Sequence, residues 1–82
     1  MYKILIVEDD ETIAGGLKNH LEKWNYQAEC MTDFKDVMGK FVEFEPQLVL
    51  LDIVLPFFNG FHWCQEIRKI SKVPIIFLSS AN

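Results

Sequence analysis

Acidic side chains stand directly after short apolar runs in this sequence. Glu8, Asp9 and Asp10 follow one such run, and Asp52 follows another. Carboxylates held in one crevice repel each other and raise each other's pKa unless a cation is present. Mg²⁺ suits such a place because it takes oxygen ligands and needs only one or two protein carboxylates, with waters and phosphate oxygens completing its shell. The acids therefore predict a Mg²⁺ pocket formed by Glu8 and Asp9 beside Asp52.

A carboxylate beside a divalent cation can also act as a nucleophile. Its attack on phosphorus gives an aspartyl-phosphate, and catalysis is then mostly alignment and charge neutralisation. Asp52 is the candidate nucleophile. Ser79 and Ser80 follow the last apolar run, and the Ser79 hydroxyl is placed to donate a hydrogen bond to a phosphoryl oxygen on Asp52. Because that bond exists only when Asp52 is modified, the Ser79 hydroxyl is a candidate switch.

The runs that precede these polar residues predict strands. Residues 3–7 and 48–51 are apolar without alternation, which favours strands buried on both faces of a parallel sheet. Residues 26–31 form a more polar run, typical of an edge strand. Residues 75–78 form the last run, which Pro74 opens. Each candidate site residue therefore stands at or just beyond the end of a predicted strand.

Apolar residues at helical spacing separate the strands. A first helix is predicted from a cap at Asp9 or Asp10 to Asn25, and a second begins from a cap at Thr32 or Asp33. Asp10 is interpreted as a cap rather than as a metal ligand, because carboxylates favour the first turn of a helix. The helices thus begin directly beyond the strand ends that carry the acids.

The alternation of strands and helices predicts the fold class. With a third helix after the turn-rich loop at residues 56–60, the order is β-α-β-α-β-α-β. This order favours an α/β fold with a doubly wound parallel sheet covered by helices on both faces. Ligands of such sheets bind outside the carboxyl ends of the strands, where the strand order reverses. The acids and serines are predicted to lie at that edge.

Several residues outside the predicted pocket have two interpretations. Gly15 and Gly16 each cost about 1 kcal/mol relative to Ala inside a helix, which indicates either close packing or weak helicity. Trp24 stands at helical spacing and is expected in the core. Phe57 and Phe58 lie in the loop beside the candidate site, and we expect them to pack under the third helix. If they are exposed, they would suit a partner contact.

The composition limits the functional classes. The chain has 82 residues, of which 50% are hydrophobic, and a net charge of −4 at pH 7, which predicts one small packed domain. Its basic residues are scattered, which argues against a nucleic-acid footprint. The apolar runs are far shorter than the ~20 residues of a membrane helix, and no signal peptide is recognisable. We therefore expect a cytoplasmic protein in which Cys30 and Cys64 are free, buried thiols.

Three segments together resemble the receiver domains of bacterial two-component response regulators. They are Lys3-Ile-Leu-Ile-Val-Glu-Asp-Asp10, Leu50-Leu-Asp-Ile-Val-Leu-Pro56 followed by Asn59-Gly60-Phe61, and Val73-Pro-Ile-Ile-Phe-Leu-Ser-Ser80. They span the chain in the order of that family. An acidic pair, a D-x-x-L-P turn and a strand-terminal hydroxyl occur together in few other folds. The resemblance implies a flavodoxin-like receiver fold with strand order 2-1-3-4.

The resemblance also implies a role for each matching residue. Asp52 corresponds to the phosphoacceptor, and Glu8 and Asp9 correspond to the acidic pocket that holds Mg²⁺ with Asp52 and the backbone carbonyl of Val54. Ser79, rather than Ser80, corresponds to the switch hydroxyl, because the family has Thr or Ser at this position and often Ala at the next. The implied function is a phosphoacceptor signalling module rather than an enzyme. Its implied partner is a sensor histidine kinase that donates the phosphoryl group.

The segments resemble one branch of the family in particular. Glu8 in place of an Asp, and the L-P-x-x-N-G-F turn, resemble regulators of the winged-helix, OmpR/PhoB type. Phe61-His-Trp-Cys64 and Phe77-Leu-Ser-Ser80 resemble regulators of bacitracin and antimicrobial-peptide resistance. In the family, a Lys on a fifth strand contacts the phosphoryl group. The resemblance implies that residues 1–82 are a receiver domain truncated at its C-terminus, before the fifth strand, the last helices and the DNA-binding domain through which transcription is controlled.

Other functions fit parts of the pattern. A haloacid-dehalogenase-type phosphatase also uses a strand-end Asp, but it places a second Asp where this chain has Val54. A flavin carrier would want a phosphate loop rich in Ser, Thr and Gly where the acids of residues 8–10 stand. A receiver fragment that is not phosphorylated, and that acts only by binding or self-association, stays open. In either case, without a fifth strand, residues 75–78 are expected to form an uncharged exposed edge that pairs with another chain.

Overall fold

The computed structural model describes residues 1–79, which form one parallel sheet flanked by helices. Neighbouring strands pair in parallel in the order β2-β1-β3-β4. This arrangement confirms the predicted doubly wound sheet and its strand order. The strands are β1 (Lys3–Val7), β2 (Gln27–Cys30), β3 (Leu48–Asp52) and β4 (Ile75–Leu78), and the helices are α1 (Glu11–Lys23), α2 (Val37–Phe44) and α3 (Gly60–Arg68).

The core lies on both faces of the sheet because the central strands bury alternate side chains on opposite sides. Leu5 and Val7 of β1 pack on the face covered by α2 and α3, whereas Ile4 and Ile6 pack on the face covered by α1. All four side chains are buried. The unbroken apolar runs therefore predicted the two-sided burial of the central strands correctly.

The start of α2 differs from the sequence expectation. The helix begins after Asp36, whose Oδ1 accepts a hydrogen bond from the backbone N–H of Gly39 at 2.9 Å. The predicted caps, Thr32 and Asp33, lie too early in the chain. Asp33 instead accepts a hydrogen bond from the N–H of Lys35 at 3.0 Å and closes a turn. Two Asp residues three positions apart offer competing caps, and the later one starts the helix.

The end of α1 also corrects an expectation. The helix ends at Lys23, Trp24 is its C-cap, and Asn25 adopts a left-handed conformation with φ of 66°. Trp24 is 69% exposed, so its predicted place in the core is wrong. The C-cap residue no longer follows the helical rotation, and helical spacing therefore does not direct its ring towards the sheet.

The described residues contain neither a membrane-spanning helix nor a fully buried cysteine. In residues 1–79 no helix is long and apolar enough to cross a membrane, and α1 has 13 residues. Cys30 and Cys64 are free and half-buried rather than fully buried. The Cys30 thiol donates a hydrogen bond to the carbonyl oxygen of Ala14 at 3.6 Å, and burial raises its pKa. Cys30 thus ties β2 to α1.

Candidate functional site

Three carboxylates converge at the carboxyl edge of the sheet, where β1 and β3 end side by side. β1 pairs with β3 as far as Val7 and Leu51. Glu8 and Asp9 therefore leave β1 beside Asp52, the last residue of β3. Ligand oxygens of Glu8, Asp9 and Asp52 all lie within 4.8 Å of one another. The structure thus brings together, in one acidic cluster, the three side chains that the sequence selected for a metal and phosphoryl pocket.

Burial gives the members of the acidic cluster different environments. Asp52 is 2% exposed and Glu8 is 5% exposed, whereas Asp9 faces solvent. Glu8 Oε2 accepts a hydrogen bond from the backbone N–H of Asp10 at 3.0 Å. Burial raises the pKa of Glu8, the hydrogen bond from Asp10 opposes that shift, and the negative charge of Asp52 adds to it. Two buried carboxylates that repel each other are stabilised by a positive charge nearby.

The donor set of the acidic cluster fits a hard divalent cation. Oδ1 of Asp52 is buried and has no hydrogen-bond partner among residues 1–79. A buried polar atom without a partner costs free energy, and a carboxylate oxygen is the ligand that Mg²⁺ prefers. A softer metal would take His or Cys ligands. Exposed Asp9 leaves the cluster open to the waters and phosphate oxygens that complete a Mg²⁺ shell.

The other two predicted site residues lie close to the acidic cluster along the chain or across the sheet. Val54 stands in the bend after β3, two residues beyond Asp52, with its side chain exposed. Ser79 directly follows β4, whose Leu78 pairs with Asp52. Their roles as carbonyl ligand and switch hydroxyl stay predictions. Ser80, the alternative switch, lies outside the described residues.

Asp10 begins α1 and does not belong to the acidic cluster. Its Oδ1 accepts hydrogen bonds from the backbone N–H groups of Thr12 at 2.9 Å and Ile13 at 3.2 Å. These bonds satisfy donors that have no partner within the helix, and the carboxylate lies at the positive end of the helix dipole. The structure confirms the interpretation of Asp10 as a cap.

Gly60 is a site-positioning residue that sequence reasoning missed. It begins α3 after the cap Asn59, and its N–H donates to the carbonyl oxygen of Ile53 at 2.8 Å. A Cβ at this position would collide with the backbone carbonyl oxygen of Asp52 and lie 3.0 Å from Cα of Ile53. Only a residue without a side chain allows α3 to approach the end of β3 this closely. The Asn-Gly pair was the signal available in the sequence.

Of the two aromatic residues in the loop beside the acidic cluster, only Phe58 packs against α3, and it does so in part. Phe57 is 65% exposed and has a φ of 68°, a left-handed conformation that costs a non-glycine residue energy. Its ring lies 4.9 Å from the ammonium group of Lys35. Phe58 stacks on His62 with ring centroids 4.4 Å apart. Phe58 also meets the ring of buried Trp63 edge-on, with centroids 5.5 Å apart. Phe57 is thus exposed beside a charged neighbour, whereas Phe58 packs partly on α3.

Several known proteins are similar to this chain in sequence and in structure. The family model for the response regulator receiver domain matches residues 4–82. The chain is 54% identical over 80 residues to the uncharacterized transcriptional regulatory protein YvcP of Bacillus subtilis, covering 98% of this chain and 34% of that protein. The N-terminal domain of the nisin resistance regulator NsrR, a lantibiotic response regulator, has a TM-score of 0.91 at 49% identity, covering 100% of this chain and 69% of that chain.

One similar protein has been solved both with Mg(2+)-BeF and with a histidine kinase. TrrA of Thermotoga maritima in complex with Mg(2+)-BeF has a TM-score of 0.89 at 32% identity, covering 100% of this chain and 72% of that chain. TrrA has further been solved in complex with the histidine kinase ThkA. The chain spans about a third of the length of YvcP. Since the family match covers nearly the whole chain, this protein belongs to the response regulator receiver domain family.

Proposed function

We propose that this chain is a phosphoacceptor module in which Asp52 receives a phosphoryl group from a sensor histidine kinase. The observation that carries the proposal is the convergence of three carboxylates within 4.8 Å around a buried Asp52 oxygen that has no hydrogen-bond partner in residues 1–79. Response regulators are signalling proteins, and the relative TrrA has been solved with a histidine kinase. Kinase partnership for this chain rests on that relative and on family membership.

The chain supplies the nucleophile and its alignment. An Asp52 carboxylate oxygen attacks the phosphorus of a phosphohistidine, a P–O bond forms, and the P–N bond breaks with its electron pair left on the imidazole nitrogen. Glu8, Asp9 and Asp52, with the carbonyl of Val54, would hold Mg²⁺ at the acidic cluster. When bound, Mg²⁺ neutralises the charge that the carboxylates and phosphoryl oxygens concentrate there. Packing of Gly60 against the Asp52 backbone holds the nucleophile in place.

Readout of the modification is assigned to Ser79. Its hydroxyl follows β4 beside the end of β3 and donates to a phosphoryl oxygen once Asp52 is modified. We further propose that the module works in the cytoplasm and controls transcription through a DNA-binding domain, which would lie outside residues 1–82. The transcriptional name of YvcP and the resistance role in the name of NsrR support this assignment.

The proposal is tested by the metal dependence of phosphorylation. Incubation with acetyl phosphate should shift the chain on a phosphate-affinity gel in the presence of Mg²⁺ and not in the presence of a chelator. Asp9→Asn should slow the modification by at least about tenfold, because changes around a metal site cost about 10–100-fold in affinity or activity. Equal modification with chelator and with Mg²⁺ would contradict the metal pocket.

A second candidate function is a receiver fragment that acts by binding or self-association without phosphorylation. The observation in its favour is β4, an edge strand without charged residues whose Ile76 and Phe77 are exposed. Under this alternative the chain gains no phosphoryl group from acetyl phosphate in the presence of Mg²⁺. Modification of the wild-type chain that is lost in Asp52→Asn would exclude the second candidate.

A further inference from the structure

A cleft of about 270 Å³ opens beside the acidic cluster, between α1 and the connection from β2 to α2. Its volume is close to the lower limit of ordinary small-molecule sites, about 300 Å³. Three acidic residues line the cleft, namely Glu8, Asp9 and Glu11. The other lining residues are Ala14, Gly15, Cys30, Met31, Thr32 and Phe34. The cleft therefore combines carboxylates with a largely apolar lining.

Gly15 keeps the α1 side of the cleft open. A Cβ at Gly15 would meet no described heavy atom within 4 Å outside its chain neighbours and the backbone of its own helix. Close packing therefore does not explain this glycine, although glycine weakens a helix by about 1 kcal/mol relative to Ala. Gly16 is equally open, but it is exposed and does not line the cleft. Of the two glycines in α1, only Gly15 creates room for a ligand.

The charge of the lining selects the kind of ligand. None of the described residues that line the cleft is Lys, Arg or His. Asp52 does not line the cleft, but one of its carboxylate oxygens lies within 4.8 Å of oxygens of Glu8 and Asp9 and adds negative charge beside them. A positive group beside these carboxylates relieves the repulsion between them, and an apolar body against the half-buried Phe34 removes apolar surface from water. A neutral molecule gains only from the burial of apolar surface. An anionic molecule is in addition repelled by the carboxylates.

We propose that this cleft binds a small amphipathic cation, with a primary ammonium group at Glu8, Asp9 and Glu11 and a short aromatic or aliphatic body against Met31 and Phe34. Binding needs only the cleft. The ligand shares Glu8 and Asp9 with the Mg²⁺ pocket, so it competes with Mg²⁺. That competition rests on the proposed function, whereas the binding does not.

The binding is tested by titrating the ¹⁵N-labelled chain with phenethylammonium, without Mg²⁺ and without a phosphodonor. The matched probes are 2-phenylethanol, which is neutral, and phenylacetate, which is anionic. Amide shifts should concentrate at residues 14–15 and 30–34, and the ammonium probe should bind at least about fivefold more tightly than the alcohol, as expected for about 1 kcal/mol of charge attraction. Equal affinity for the three probes would overturn the proposal.

Matched variants locate the ligand. Gly15→Leu fills the cleft and should weaken phenethylammonium binding by at least about tenfold, whereas Gly16→Leu makes the same change on the exposed side and should leave binding unchanged. Glu11→Gln should weaken binding about threefold, and Glu45→Gln, at the end of α2 and outside the cleft lining, should not. Unchanged binding to both Gly15→Leu and Glu11→Gln would overturn the cleft as the site. Because the titration contains no phosphodonor, its result does not depend on Asp52 acting as a phosphoacceptor.

Discussion

Glu8 and Asp52 lie side by side under almost complete burial. Burial, followed by the charge of Asp52, raises the pKa of Glu8 above its ordinary value of 4.5, although the N–H of Asp10 donates to Glu8. An acid with a raised folded-state pKa contributes stability that is fully present below its unfolded pKa. That contribution is lost as the pH rises through the folded-state pKa. At neutral pH, without a cation, Glu8 therefore opposes folding.

Replacement of Glu8 by Gln tests this electrostatic cost. Glu8→Gln keeps an oxygen that accepts from the Asp10 N–H and removes the titrating group. In urea at pH 7 without divalent cations, the unfolding midpoint of the variant should be higher than that of the wild type. At pH 4 the two midpoints should nearly coincide. Glu11→Gln on the exposed first turn of α1 is the matched control, and a Glu8→Gln midpoint below wild type at pH 7 would contradict the raised pKa.

The convergence of the acidic cluster could be predicted from the sequence, whereas its supporting contacts could not. Strands that are parallel and adjacent end at the same edge, so acids placed after β1 and β3 had to meet. The collision that excludes a side chain at Gly60 and the room at Gly15 depend on distances between elements, which residue spacing does not encode. The exposure of Phe57 depends on a left-handed turn that an aromatic residue does not signal.

Among the helices and strands, the strands could be predicted from the sequence, whereas the start of α2 could not. The central strands β1 and β3 were predictable because unbroken apolar runs need burial on both faces, and the four described strands lie at nearly the predicted bounds. The start of α2 was not predictable because Asp33 and Asp36 both suit a cap, and the structure shows that the later one starts the helix. The start of α3 at Gly60 is the boundary that matters for the site, because Gly60 lies against the backbone of Asp52.

Gly60→Ala is predicted to disturb the junction between α3 and β3. The added methyl group would collide with the Asp52 carbonyl oxygen, and overpacking of this kind costs about 1–3 kcal/mol of unfolding free energy. Urea denaturation measures the loss. Gly16→Ala is the matched control, because its methyl group enters open space and should stabilise α1 by up to about 1 kcal/mol. A Gly60→Ala chain as stable as the wild type would contradict the close approach of α3.

The whole molecule has two unlike sheet edges. β2 presents Glu29, which forms an ion pair with Lys40, and charged side chains on an edge discourage pairing with other chains. β4 has no charged residue, and its Ile76 is 52% exposed. Among the described strands, β4 pairs only with β3. The 82-residue chain is therefore asymmetric in its tendency to associate.

The edge of β4 predicts concentration-dependent self-association of the 82-residue chain. Sedimentation over a series of concentrations should show species larger than a monomer. Ile76→Lys should shift the chain towards the monomer, because a charge on an edge strand opposes pairing. The same substitution on the other edge, Gln27→Lys, should leave association unchanged. A monodisperse wild-type monomer at the highest concentration would contradict this prediction.

The acceptor role of Asp52 is tested most directly by intact-mass measurement after incubation with acetyl phosphate and Mg²⁺. The wild-type chain should gain one phosphoryl group, and Asp52→Asn should gain none. Asp10→Asn removes a neighbouring carboxylate that caps α1, and because Asn caps a helix as well as Asp, that variant should be modified like the wild type. Modification that persists in Asp52→Asn, or that is lost equally in Asp10→Asn, would contradict Asp52 as the phosphoacceptor.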